Sequence, residues 1–123
     1  MAKGFIPGTV FEEDLIGTVS VQDNITAFAT GGQANAVQLT KQINRVTVVG
    51  SANDSVKLPT AAANKGAEVT VANAAGANSL NVFPATGDQI DGLGANAARA
   101  VAAGKTATFV SYGGTQWHSM ISA

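Results

Sequence analysis

Thr106-Ala107-Thr108-Phe109-Val110-Ser111-Tyr112, then Gly113-Gly114, then Gln116-Trp117-His118-Ser119-Met120-Ile121, is the stretch of sequence that decides the fold. Its first seven residues form the strongest strand signal in the chain. Gly113-Gly114 marks a tight turn that needs positive φ. Residues 116–121 then return as a second strand, in which successive side chains point to opposite faces.

Working outward, the preceding residues repeat the same grammar. Ala103-Gly104-Lys105 reads as a hairpin turn. Residues 95–103, bracketed by Gly94 and Gly104, are too few for a stable helix and read as strand or irregular. Ser79-Leu80-Asn81-Val82-Phe83-Pro84 is a strand with Leu80 and Val82 inward, and Ala67-Glu68-Val69-Thr70-Val71-Ala72-Asn73 is another with Val69 and Val71 on one face. Residues 60–66 fit a single helical turn ending at Gly66. Ser55-Val56-Lys57-Leu58 alternates up to Pro59, and Val46-Thr47-Val48-Val49 ends at Gly50, with Val46 and Val48 on one face. Turn signals recur at about 8–12 residues, the pattern of a small antiparallel β-sandwich or a jelly-roll-like barrel. The fold class expected is therefore all-β.

Residues 1–23 differ from the rest. Gly4, Pro7, Gly8 and Gly17 interrupt short apolar pieces around Glu12-Glu13-Asp14. The segment reads as an extended N-terminal arm, with a β domain over 24–123. Either it folds back as an edge strand or it reaches a partner through Phe5, Ile6, Phe11, Leu15 and Ile16. It lacks the apolar core of a signal peptide, and no apolar run approaches the ~20 residues that span a bilayer. Synthesis in a cytoplasm and no membrane partner are expected.

The chain has 123 residues, 7 basic and 8 acidic, for a net charge of -1. Its basic residues are spread singly, without the cluster that tracks a phosphate backbone, so no nucleic-acid partner is expected. Charged residues make up 12% of the chain and hydrophobic residues 46%. Ordinary soluble domains carry ~25% charge. Either part of the surface is covered by a partner, or Ala, Asn, Thr, Ser and Gly make it neutral. With no cysteine, disulfides and thiolate metal sites are excluded.

Groups that carry chemistry are scarce. His118 is the single histidine and, on a strand, faces away from Ser119, so no nucleophile–base pair is expected. Asp88 and Asp91 lack the regular spacing of a calcium loop and read as turn caps. Neither Gly31-Gly32 nor Gly92-Leu93-Gly94 fits a phosphate or dinucleotide loop. Phe83, Phe109, Tyr112 and Trp117 read as core, with a stacking platform as the functional alternative. No catalytic residue, metal ligand or cofactor site is expected, and the chain is not expected to be an enzyme.

The order of these pieces carries a resemblance. Residues 40–49, 54–59, Glu68-Val69-Thr70-Val71-Ala72-Asn73, residues 76–84, Gly87-Asp88-Gln89-Ile90-Asp91-Gly92-Leu93, residues 103–109 and Trp117-His118 together resemble a module of phage structural proteins. Over 35–121 the chain is similar to head decoration (cement) proteins of tailed bacteriophages, and related modules occur in tail fibres. The resemblance implies a virion protein on the capsid exterior. It would be a homotrimer that binds the major capsid protein and bridges neighbouring subunits. The alternative it implies is a tail-fibre or head-fibre module that binds a host-surface glycan or receptor, with Tyr112 and Trp117 as the stacking surface.

Overall fold

The computed structural model describes residues 19–29 and 32–123. Their strands are β1 (Val21–Thr26), β2 (Val37–Gln38), β3 (Ile43–Val48), β4 (Asp54–Lys57), β5 (Glu68–Asn73), β6 (Leu80–Phe83), β7 (Gln89–Ile90), β8 (Arg99–Val101), β9 (Thr106–Gly113) and β10 (Gln116–Ile121). They form a six-stranded sheet in the order β1-β3-β5-β9-β10-β7 and a four-stranded sheet in the order β2-β4-β6-β8.

The chain changes sheet at every connection from β1 to β9. A strand that returns to its sheet after a full coil runs in the same direction as its predecessor. Hence β1, β3 and β5 pair in parallel, as do β2, β4 and β6. Val21 lies opposite Ile43 and Ile43 opposite Thr70, while Val56 sits between Val37 and Val82. The result is a short β-solenoid with a coil of roughly 25 residues, inside the usual range for such repeats. One end is finished by antiparallel pairings of β9 with β5 and β10, and of β8 with β6.

The all-β class therefore holds, but the antiparallel sandwich or jelly roll does not form. Ala103-Gly104-Lys105, which reads as a hairpin turn, is a corner between β8 and β9 in different sheets, whereas Gly113-Gly114 does close a hairpin between β9 and β10. At the corner after β3, Asn53 takes a left-handed conformation (φ 76°), and its amide donates to Ser79 of the next coil at 3.0 Å. Asn78 donates from Nδ2 to the Val49 carbonyl at 2.8 Å. These exposed corners are tied to each other by one backbone bond and one asparagine side chain.

Inward side chains of both sheets share one core. Val46, Val56, Val71, Val82, Val101, Leu58, Leu80, Ile90, Phe109 and Trp117 are fully buried in it. Burying each aliphatic among them contributes about 1.5–3 kcal/mol relative to exposure. Leu80 and Val82 face inward together, as their alternation requires. Val48 does not follow Val46: it is exposed, and Val49 turns into the core as the chain leaves β3. Residues 60–66 form one 3-10 turn, Ala62–Asn64, with Gly66 at φ 85°. Strand β1 begins at Val21, so the last three residues of the expected arm already belong to the coil.

The β9–β10 turn has both glycines at positive φ, Gly113 at 81° and Gly114 at 58°. A Cβ on Gly113 would also stand 3.0 Å from Lys65 Cδ. Gly113→Ala should cost about 1–2 kcal/mol from left-handed backbone strain. Gly114→Asn, in open space and with a residue that tolerates this conformation, should be close to neutral. Urea unfolding of the two variants checks the contrast.

Candidate docking surface

The outer face of the six-stranded sheet carries a continuous row of uncharged side chains. Val21, Ile43, Thr70, Thr108 and Met120 stand opposite one another across β1, β3, β5, β9 and β10. Strands are spaced ~4.8 Å apart, so the row runs roughly 19 Å. Val21 is 57% exposed, Ile43 40% and Met120 70%, and the two threonines are half-buried. Charge begins only in the flanking rows, with Glu68, Val110 and His118 on one side and Arg45, Ala72 and Thr106 on the other. Arg45 donates from Nε to Asp23 at 2.8 Å. The Asn24 amide first, and Arg45 after it, hold the Asp23 carboxyl below its ordinary value. Single exposed apolar residues are ordinary, whereas contiguous ones mark contact surfaces.

One corner of this face gathers most of the polar chemistry. Asp91, at φ 54°, accepts from the Ser119 amide at 2.7 Å and from the Ser119 hydroxyl. Arg99 Nε lies 3.7 Å from its Oδ2 and His118 Nδ1 3.9 Å from its Oδ1. Tyr112 meets the His118 ring edge-on with centroids 4.8 Å apart. His118 and Ser119 do face apart, yet both approach Asp91. Asp88 is separate: its Oδ2 accepts from the Ala61 amide at 2.9 Å, which pins the 3-10 turn. The two aspartates thus do not converge on one site, and among the described residues no three Asp, Glu or His side chains are grouped to hold a metal.

The aromatics divide. Phe109 and Trp117 are fully buried and Phe83 is half-buried, while Tyr112 is 64% exposed. Trp117 therefore cannot be part of a stacking surface, and of that pair only Tyr112 reaches solvent. Phe5, Ile6, Phe11, Leu15 and Ile16 lie outside the described residues. The Asp91 cluster was hidden in the sequence because Asp91, Arg99 and His118 come from separate elements. The left-handed signal at Asp91-Gly92 was the one local clue to it.

A concavity of about 240 Å³ opens at the start of the solenoid between β1 and β2. Ile25, Val37 and Leu39 give it an apolar lining, with Gln22, Gln38 and Asn44 beside them. Among the described residues, strands β1 and β2 are the outermost of their sheets at this end. No family model, curated protein or solved structure matches the chain.

Proposed function

We propose that this protein is a structural component of a phage virion that attaches to the outside of the capsid and bridges neighbouring major capsid protein subunits as a homotrimer. The observation that carries the reading is the uncharged row from Val21 to Met120, five strands wide on a rigid sheet. Such a face suits self-association. Apolar residues of the N-terminal arm, Phe5, Ile6, Phe11, Leu15 and Ile16, engage the capsid or a sister subunit. Three linked arms bind far more tightly than one, because the second and third contacts form at high effective concentration. The work asked of the molecule is attachment, and it needs no catalytic group.

Ile43→Lys with Met120→Glu tests this reading. Light scattering should give a trimer for the parent chain and a monomer for the double variant. Its melting temperature should stay within a few degrees, since exposed substitutions usually change stability by about 0.5 kcal/mol or less. Capsid binding should weaken at least a hundredfold with loss of the trimer. A parent chain that stays monomeric at 100-fold different concentrations would rule the reading out.

A second reading, a fibre module that binds host glycan, draws on the exposed Tyr112 beside His118. Glycan-array binding that vanishes on Tyr112→Ala, with the trimer intact, would favour it.

A further inference from the structure

We propose that the groove between β1 and β2 binds a small neutral polyhydroxy ligand, about one sugar ring in size, through the buried side-chain carbonyl of Asn44. The inference does not depend on the capsid reading, and its site is separate from the Tyr112 corner.

An unpartnered group points to the ligand. Asn44 of β3 is fully buried and lines the groove. Its Nδ2 donates to the carbonyls of Lys41 at 2.9 Å and Thr70 at 3.2 Å. Those two bonds fix which end of the amide is nitrogen. Its Oδ1 is left without a hydrogen-bond partner among the described residues. A buried acceptor without a donor is destabilising, and an occupant that donates to it removes the penalty. Gln38 of β2 is arranged in the same way. Its Nε2 donates to the Leu39 carbonyl at 3.1 Å and the Lys57 carbonyl at 3.2 Å, which leaves its oxygen as an acceptor. The groove therefore suits a ligand rich in donors.

The groove is also preformed. Gln22 lies opposite Asn44 and Ile25 opposite Val46, so β1 takes three steps where β3 takes two. The extra residue makes a bulge, which bends β1 beside Asn44. Asn24 stands there at φ 56°. Asp23 holds the bend, because its carboxylate accepts from the Asn24 amide at 2.6 Å and from Arg45 Nε at 2.8 Å. A site shaped before its ligand arrives loses less ordering entropy on binding.

The lining selects the chemical class. None of the described residues that line the groove is charged. An unpaired charge is costly to move out of water, so the ligand is neutral. Ile25, Val37 and Leu39 offer an apolar surface for the C–H face of a ring. Thr26 and Thr40 add hydroxyls that can donate or accept. A volume of about 240 Å³ lies below the ~300–1,000 Å³ that holds drug-sized ligands, so it suits one ring.

NMR titration of the isotope-labelled full chain with D-glucose, D-galactose and N-acetyl-D-glucosamine tests the proposal. At least one should give saturable shifts at the Ile25, Leu39 and Asn44 amides, with a dissociation constant on the order of 1 mM. D-glucuronate, which carries a carboxylate, should bind at least tenfold more weakly. Asn44 also ties backbone together, so the groove is better blocked by Val37→Phe, at a half-buried position. That variant should lose the shifts and keep its melting temperature within a few degrees. The absence of a saturable shift with all three sugars would overturn the proposal. So would shifts that persist in Val37→Phe, shifts centred on Tyr112 and His118, or glucuronate binding as tight as that of the neutral sugars.

Discussion

Trp117→Ala should lower stability by about 3–5 kcal/mol, the range for deleting a large aromatic from a packed core. Trp117 is fully buried. It lies opposite Ile90 of β7 and Ser111 of β9, so its ring fills space where the capping hairpin meets the coil. Small domains have about 5–15 kcal/mol in total, and the melting temperature should fall by roughly 10–20 °C. Trp117→Phe should cost less than half as much. It keeps most of the apolar volume and removes an indole N–H that has no hydrogen-bond partner among the described residues. Calorimetry of both variants decides the matter, and an alanine variant within 1 kcal/mol of the parent would show that this side chain does not anchor the cap.

Asn73→Ala should cost about 3 kcal/mol for a different reason. Asn73 is buried at the end of β5. Its Nδ2 donates to the carbonyls of Asn78 at 3.0 Å and Val101 at 2.9 Å. Its Oδ1 accepts from the Ala75 amide at 3.2 Å. One side chain thus ties β5, the following turn and β8 together. Each buried backbone group left without a partner costs about 1–3 kcal/mol. Asn73→Asp should be worse at neutral pH, because a carboxylate there would face two carbonyls. Burial and those carbonyls would raise its folded pKa, so the deficit should be largest above that pKa and shrink as pH falls and the acid can donate. Urea unfolding at two pH values reads both effects. Equal costs at neutral and acid pH would contradict the donor role.

The sequence made the strands legible and the winding illegible. Alternation at Val69 and Val71, and at Leu80 and Val82, marks a buried face correctly, because period two is a property of any strand. The same alternation is silent about which strand is the neighbour and which way it runs. Val56 gives no sign that it lies between Val37 and Val82, and a short strand such as β2, Val37–Gln38, carries too few residues to show a period. The corners misled for a physical reason. A left-handed asparagine such as Asn53 serves a hairpin or a change of sheet equally well. Sequence-level reading also could not weigh Val48 against Val49, since the choice depends on where β3 ends. Of the docking surface, the shortage of charge was visible beforehand. The row that concentrates it was not, because Val21, Ile43, Thr70, Thr108 and Met120 are neighbours only through the coil.

Cryo-electron microscopy of the virion should show trimeric density on the outer capsid surface. The two-sheet coil of each subunit should fit that density, with the row from Val21 to Met120 turned toward sister subunits and the segment around Phe5, Ile6 and Phe11 against the major capsid protein. A capsid exterior without this chain, or the chain present as single copies at a fibre tip, would contradict it.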